Sequence, residues 1–214
     1  MSTKKKNTKK APKKNSVKKT TDRNKIIRIS AIAIALLVGI VLLSVFLTRP
    51  GEPTNTVVIK VKNYGDIVIE LDPDAAPITV ENFKKLVSER FYRKSSFHRI
   101  VDGFVIQGGA SAKDKKAATI KGEFSENGVD NPLKHERGVI SMARLGNDPN
   151  SASSQFFIVL ETSYNNTLSL DGKYAAFGRV IEGMDVVDAI AAVRTNYYTE
   201  APWQEIQISR VYFK

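Results

Sequence analysis

The stretch that decides the fold runs from residue 97 to residue 109 and reads FHRIVDGFVIQGG. Two short apolar runs flank a turn at residues 101–103, and this pattern predicts a β-hairpin. Strict alternation along the first strand predicts that Phe97, Arg99 and Val101 share one face.

The second strand of this hairpin is predicted to alternate in the same way. Phe104 and Ile106 are expected on one face, and Val105 and Gln107 on the other. Two interpretations fit the single arginine, Arg99. It can lie at a barrel rim with its stem buried and its charge in water. It can instead be a positioned cation beside an apolar pocket, facing an uncharged polar ligand.

Four sequence blocks in a fixed order resemble the cyclophilin family of peptidyl-prolyl isomerases. The first is the hairpin, with Phe-His-Arg, then Gly-Phe, then Gln-Gly-Gly. The others are GVISMA at 138–143, SQFFI at 154–158 and LDGKYAAFG at 170–178. The resemblance covers residues 56–214, and four blocks in register are far more specific than any one of them.

The resemblance implies a catalytic role for Arg99. Its guanidinium would hydrogen-bond the prolyl amide and favour a pyramidal nitrogen, and Lys would be a poor substitute because the planar fork fixes the geometry. The family's substrate-binding positions match Phe104, Val105, Gln107, Ala143, Arg144, Gln155, Phe157, Leu170 and Tyr174.

The resemblance also divides these positions by role. Those at 104, 157 and 170 line the proline pocket, with Val105 where Met is common. Gln107 and Gln155 match positions that contact the substrate backbone. Ala143 and Arg144 match a strand end whose backbone binds the residue before proline.

Two positions depart from many eukaryotic members of the family. Ser169 stands where they have Trp, and Tyr174 stands where they have His. Tyr can still hydrogen-bond and pack. Because the Trp is associated with cyclosporin, its loss is expected to weaken binding of the drug more than catalysis. A longer loop at residues 146–154 also resembles bacterial cyclophilins.

The strand pattern and the resemblance imply a mainly β fold. We expect a closed eight-stranded antiparallel β-barrel capped by two α-helices and preceded by a single transmembrane helix. Thr79 is the expected N-cap of the first helix, with Glu81 in its first turn. Its apolar stripe is Val80, Phe83, Leu86 and Val87. The second helix is expected over residues 183–192.

The positive charge of the chain is concentrated at its N-terminus. Residues 1–28 hold 12 of the 33 basic residues and one of the 22 acids, which leaves 21 of each in the remainder. Residues 1–25 contain almost nothing apolar and are predicted to be a disordered basic tail. Such a tail fits either nucleic acid or anionic lipid as a partner.

The residues that follow favour the lipid. Residues 29–47 carry no charge, and residues 26–47 are predicted to form a transmembrane signal anchor. Nineteen residues at about 1.5 Å each span roughly 28 Å, close to a hydrocarbon core of about 30 Å. A cleaved signal peptide fits less well, because the apolar run is long and residues 48–50 are not a small-x-small site.

The predicted anchor fixes the expected location. The positive-inside rule places residues 1–25 in the cytoplasm, which makes the chain a single-pass cell-membrane protein with an extracytoplasmic catalytic domain. Residues 48–55 are a short linker with two Pro and one Gly, and residues 56–214 form the cyclophilin-like domain. No nucleic-acid partner is expected.

Composition excludes several classes of site. The chain has no cysteine, which removes disulfides, thiol nucleophiles and Cys-ligated zinc. Its two histidines are too few for a His-rich metal site. His98 is expected to be a packed structural residue, and His135 to lie in a polar loop without a catalytic role. Neither a metal nor a cofactor is expected.

Two functions follow from these expectations. The first is a peptidyl-prolyl cis-trans isomerase that accelerates rotation of X–Pro bonds in exported proteins as they fold, with proline-containing polypeptides as its clients. The alternative is a proline-binding scaffold or holdase on the same fold with negligible turnover, because fold alone does not determine function. The intact set of Arg99, Phe104, Gln107 and Phe157 favours the enzyme.

Overall fold

The computed structural model describes residues 54–113 and 115–214. The predicted tail, the predicted anchor and most of the predicted linker lie outside these residues. Within the described part, no helix is both long enough and apolar enough to cross a membrane.

Eight antiparallel strands close into a barrel, as predicted. Their order around the barrel is β1-β2-β7-β5-β6-β4-β3-β8. The strands are β1 (Thr56–Val61), β2 (Gly65–Leu71), β3 (Ser96–Val101), β4 (Val105–Gly108), β5 (Val139–Met142), β6 (Phe156–Val159), β7 (Ala176–Glu182) and β8 (Ile206–Phe213). Because the barrel closes entirely within residues 56–213, this part of the chain contains a complete fold with its own core.

Three α-helices accompany the barrel, where two were predicted. They are α1 (Pro77–Ser88), α2 (Tyr164–Leu170) and α3 (Met184–Ala191). The helix that was not predicted, α2, reads YNNTLSL and carries no apolar stripe that would mark it. The stripe predicted for α1 is confirmed, because all four of its residues are buried.

The predicted cap of α1 is wrong. The helix begins at Pro77 after Ala76, without a local side-chain cap and without an acid in its first turn, so Thr79 lies within the helix and Glu81 beyond that turn. The buried carboxylate of Glu123 does the capping from a distant loop. It accepts hydrogen bonds from the backbone N–H groups of Ile78 at 3.1 Å and Thr79 at 2.8 Å.

The central hairpin forms, but the face predicted for Phe97 is wrong. The pairing of β3 with β4 shifts register between Phe97 and Arg99, so that Phe97 lies opposite Gly108 and Arg99 lies opposite Gln107. An extra residue in one strand reverses the alternation beyond it. Phe97 therefore points into the core and is 0% exposed, while Arg99 points outward.

The second strand of the hairpin follows the prediction from Val105 onward. Ile106 is in the barrel core, and Val105 belongs to a separate apolar cluster outside it. Phe104 was expected beside Ile106 but packs against the Val105 cluster, because it ends the turn and precedes β4. The turn is closed by a 3.0 Å hydrogen bond from the Phe104 N–H to the carbonyl of Val101.

Aromatic rings fill the barrel. Phe83 of α1 lies 5.2 Å from Tyr92, 5.9 Å from Phe156 and 5.2 Å from Phe177, measured between ring centroids. Burial raises the pKa of Tyr92 far above its ordinary range, and its hydroxyl donates to the carbonyl of Ser154 at 3.0 Å. Phe156 and Phe177 are therefore core residues and leave the pocket to other aromatic side chains.

Candidate active site

The predicted site residues come together on the outer face of the barrel. A pocket of about 260 Å³ is lined by nine of them: Arg99, Phe104, Val105, Gln107, Ala143, Arg144, Phe157, Leu170 and Tyr174. The tenth, Gln155, lies behind this lining, where its side-chain oxygen accepts a 3.0 Å hydrogen bond from Gln107. These residues come from four separate parts of the sequence.

The floor of the pocket is an apolar cluster distinct from the barrel core. Val105, Phe157, Val159 and Leu170 are all buried in it, and Tyr174 packs against them. The ring of Tyr174 meets Phe157 edge-on, with centroids 5.6 Å apart and planes at 85°. A floor of buried apolar side chains suits a small apolar ring.

One wall of the pocket is polar. Arg99 Nη1 donates to Gln107 Oε1 at 3.4 Å, and Gln107 Nε2 donates to Gln155 Oε1 at 3.0 Å. The three side chains therefore form a chain of hydrogen bonds that ends at a cation. The Arg99 side chain is 35% exposed, so its charge is available to a ligand at the pocket rim.

A carboxylate that sequence reasoning missed holds this cation. Glu200 Oε2 accepts a 2.6 Å hydrogen bond from Arg99 Nε. The backbone fixes the position of Glu200, because its carbonyl accepts from the Ile100 N–H at 2.8 Å and its own N–H donates to Asn196 at 2.8 Å. Glu200 lies 101 residues from Arg99, in a polar loop without periodicity, so no local pattern pointed to it.

The loop around Glu200 adopts a demanding conformation. Glu200 has φ +57°, a left-handed backbone value that costs energy for any residue but glycine. The side-chain oxygen of Asn196 accepts from the N–H groups of Tyr198 and Thr199 at 2.9 and 3.1 Å, which forms an Asx turn. The carboxylate is thus presented to Arg99 by an ordered loop.

His135 lies in a loop, as expected, and supports the floor of the pocket from there. Its ring is 1% exposed and stacks on Phe157, with centroids 6.0 Å apart and planes at 20°. Nδ1 lies 2.8 Å from Asp171 Oδ1, and Nε2 lies 3.0 Å from Ser141 Oγ. No neighbouring motif marks this position in the sequence.

The partners of His135 identify its protonation state. Burial lowers the pKa of His135 more than its hydrogen bond to Asp171 raises it. In the neutral ring, Nδ1–H donates to the Asp171 carboxylate, and Nε2 accepts from the Ser141 hydroxyl; this tautomer is inferred from the partners. The ring therefore positions Phe157 and is enclosed away from any substrate.

His98 lies behind the polar wall. It is half-buried, and burial lowers its pKa, while hydrogen bonds with the Ser96 backbone and the Gln155 side chain act in the opposite direction. The nearby charge of Arg99 lowers the pKa further. A neutral His98 is consistent with the structural role expected for it.

Arg144 also lines the pocket. Its guanidinium lies over two rings, 5.2 Å from the centroid of Phe124 and 4.8 Å from that of Tyr174. Nε donates to the carbonyl of Lys173 at 2.8 Å. Ala143 precedes it, and its N–H already donates to Gln155 at 2.9 Å. The carbonyl of Ala143 is therefore the backbone group left to bind a ligand there.

Comparison with known proteins agrees with this geometry. Residues 56–213 match the family model described as cyclophilin type peptidyl-prolyl cis-trans isomerase/CLD. A peptidyl-prolyl cis-trans isomerase of Acinetobacter baylyi is 44% identical over 168 residues, covering 75% of this chain and 86% of that protein. Peptidyl-prolyl cis-trans isomerase B of Escherichia coli is 41% identical, covering 70% of this chain and 94% of its own length.

Solved structures show the same fold. A cyclophilin-type isomerase of Cryptosporidium parvum, crystallised in the presence of the dipeptide Ala-Pro, superposes with a TM-score of 0.64 at 28% identity, covering 74% of this chain and 98% of its own. Family model, relatives and fold agree over the described barrel, and the chain belongs to the cyclophilin family of peptidyl-prolyl cis-trans isomerases.

Proposed function

We propose that the pocket beside Arg99 is where this cyclophilin rotates X–Pro bonds. The observation that carries the proposal is that the guanidinium of Arg99 lines the same pocket as the apolar side chains of Phe104, Phe157 and Leu170. The Cryptosporidium structure with Ala-Pro supports a proline ligand by similarity. The floor would take the pyrrolidine ring, and the rim would contact the amide.

The chemistry needs a weakened amide resonance. The rotation barrier is about 18–20 kcal/mol because the C–N bond has partial double-bond character. A hydrogen bond from Arg99 to the prolyl nitrogen favours the pyramidal, single-bonded form. A thousandfold acceleration requires about 4 kcal/mol of barrier reduction. A charge-assisted hydrogen bond, together with a fixed orientation of the substrate, can lower the barrier by this amount.

The remaining polar groups would hold the chain on either side of the bond. Gln107 and Ala143 both line the pocket, and the Gln107 side chain and the Ala143 carbonyl would each bind the substrate backbone. A substrate held at both ends while the amide rotates needs neither proton transfer nor a cofactor. The neutral, enclosed His135 fits a supporting position in such a site.

The experiment that tests the activity uses the fragment 50–214, which contains the whole barrel. Acceleration of cis-trans exchange in a Pro-containing peptide is measured for this fragment and for Arg99→Ala and Arg99→Lys. We expect acceleration that falls at least a hundredfold in Arg99→Ala and is poorly restored by Lys. A folded fragment that binds Pro peptides without accelerating exchange would make the chain a proline-binding holdase instead.

We further propose that the enzyme is anchored in the cell membrane and acts on exported proteins. The support is the uncharged run at residues 29–47 beside a basic tail. Because the chain has no cysteine, single cysteines introduced at Ser2 and Lys116 can be labelled selectively in intact cells. An impermeant maleimide is expected to label position 116 only. Labelling of position 2 alone would indicate the opposite membrane orientation. Release of the protein into the medium would show that it is not anchored in the membrane.

Weak binding of cyclosporin also stays a prediction. Ser169, where many eukaryotic members have Trp, is exposed on α2 next to the pocket residue Leu170. The affinity for cyclosporin is measured from the inhibition of the fragment 50–214 at increasing concentrations of the drug. A Ser169→Trp variant is expected to bind cyclosporin more tightly without a comparable change in turnover.

A further inference from the structure

A basic groove separate from the active-site pocket lies on the outside of the barrel beside β8. It has a volume of about 510 Å³ and is formed by the end of α1, the segment after it, and β8. Three arginines, Arg90, Arg93 and Arg210, line it together with Tyr212 and Phe213.

A second groove continues this surface. It has a volume of about 430 Å³, shares Arg90 and Arg93 with the first, and adds Lys94, Lys113 and Lys115. We name these six basic residues the basic face. Glu89 is the only acid that lines either groove among the described residues. The described residues that line the two grooves therefore include six basic side chains and one acidic side chain.

This concentration of charge is not a property of the whole domain. Residues 29–214 contain equal numbers of basic and acidic residues. The ion pairs formed elsewhere in the described part include Lys60 with Asp66 and Arg137 with Asp188. None of the six residues of the basic face has a described carboxylate within ion-pair distance. An anionic surface would reduce the mutual repulsion of these six residues.

The groove also contains side chains suited to a membrane interface. The guanidinium of Arg210 lies over the ring of Tyr212, 4.6 Å from its centroid. Tyr212 and Phe213 are half-buried, so part of each ring remains exposed beside the arginines. Basic residues that alternate with aromatic rings match a surface of phosphate headgroups above an apolar layer.

The position of the basic face fits this partner. In the closed barrel, β8 is the neighbour of β3, which carries Arg99 of the active site. The two grooves and the active-site pocket share no lining residue. The groove is also where the chain enters the domain, because Val57 pairs with Phe213 and the Thr54 hydroxyl donates to the carbonyl of Lys214 at 3.0 Å. Only residues 48–53 separate Thr54 from the proposed anchor.

We propose that the basic face docks the domain on anionic phospholipid headgroups. The inference goes beyond isomerase activity, and only its location relies on the proposed anchor. Docking would hold the domain in one orientation without covering any residue that lines the pocket, because the basic face and the pocket have no residue in common.

The test uses the fragment 50–214, so that no anchor can insert. Flotation with vesicles of phosphatidylglycerol and phosphatidylcholine is compared with pure phosphatidylcholine, at 50 and 300 mM salt. We expect binding to the anionic vesicles that weakens at high salt. The double variant Arg93→Gln/Arg210→Gln is expected to bind about 25-fold more weakly, since each basic residue near an anionic surface contributes about a factor of five.

A matched control separates the basic face from total charge. Lys121→Gln/Arg179→Gln removes the same charge from exposed positions outside both grooves and is expected to bind as the wild type does. Isomerase activity checks the fold of every variant. Equal loss in both double variants, or no flotation of the wild-type fragment, would overturn the proposal. Tighter binding of heparin or DNA than of vesicles would overturn it in favour of a soluble polyanion.

Discussion

The guanidinium of Arg99 has donors at three nitrogens, and two of them have protein partners. Nε is held by Glu200 at 2.6 Å, and Nη1 contacts Gln107 at 3.4 Å. Among the described residues, no hydrogen bond engages Nη2. The ion pair therefore fixes the plane of the guanidinium and leaves Nη2 to bind a ligand.

The contribution of Glu200 can be measured by substitution. Both partners are more than a third exposed, so solvent screens the pair and the expected loss is about fivefold in kcat/KM for Glu200→Gln. Glu200→Ala removes the acceptor as well and is expected to cost more. A positioning role predicts a fall in kcat with KM little changed.

The matched control is Glu205→Gln, an exposed acid five residues further along the chain. It carries the same change of charge and is expected to leave kcat/KM unaltered. Equal kinetics for Glu200→Ala and the wild type would show that Arg99 needs no carboxylate to orient it.

His135 makes the stability of the domain depend on pH. Its pKa is lowered in the folded state, so between that value and the ordinary 6.5 the unfolded chain binds a proton that the folded chain does not. Stability is therefore complete above about pH 6.5 and falls as the pH is lowered. Urea unfolding of the fragment 50–214 at pH 7.5 and 5.5 measures this loss.

Substitution separates His135 from the other titrating groups. His135→Gln is expected to lower stability by about 1–3 kcal/mol at pH 7.5, because the Asp171 and Ser141 groups lose partners. It is also expected to reduce the difference between the two pH values. An unchanged difference would assign the pH dependence to other groups, with His98→Gln as the next variant to compare.

At the scale of single elements, α1 depends on a carboxylate that is remote in sequence. Glu123 is 2% exposed, and its Oε2 accepts from both the N–H and the hydroxyl of Thr79, at 2.8 and 2.7 Å. Without it, the first turn of α1 has buried donors and no local side chain to satisfy them.

Glu123→Ala is therefore expected to destabilise the fragment by about 2–3 kcal/mol, the cost of leaving buried donors unsatisfied. Glu126→Ala, at an exposed acid in the same loop, is the control and is expected to change stability by less than about 0.5 kcal/mol. Chemical denaturation gives both values. Equal stability of the two variants would mean that water caps the helix adequately.

The strands and most of the pocket follow from local sequence. Eight of the nine residues that line the pocket lie within the blocks at 97–109, 138–143, 154–158 and 170–178, and Arg144 directly follows the second block. The closed barrel brings these blocks together. The features that local sequence did not predict depend on contacts between residues that are distant along the chain. The bulge beside Arg99 depends on how β3 meets β4, and strict alternation cannot anticipate an inserted residue.

Three further contacts also depend on the folded barrel and not on local sequence. Glu123, His135 and Glu200 lie in loops whose polar composition resembles ordinary solvated surface. Their partners are 44, 36 and 101 residues away. Only the closed barrel makes these pairs neighbours, so a pattern read along the chain gives them no weight.

On the scale of the whole molecule, the barrel closes within the described residues 56–213. All eight strands lie between Thr56 and Phe213, and the main core draws on every part of that range. The fragment 50–214 is therefore expected to unfold in one cooperative step.

Its urea midpoint is expected to equal that of the full chain in detergent, within experimental error. Far-ultraviolet and near-ultraviolet circular dichroism give two independent probes of the transition. A fragment markedly less stable than the full chain, or probes with different midpoints, would mean that residues 1–49 contribute to the folded barrel.

The closed barrel has a further consequence for a protein whose proposed clients arrive unfolded. Extended chains readily add to an open sheet as an extra strand, and such pairing is a route to co-aggregation. Here each strand already has a hydrogen-bonded neighbour on both sides. In the described barrel, a client therefore meets the side chains of the pocket but no unpaired sheet edge. We expect this closure to keep the domain from adding to the aggregates of unfolded clients.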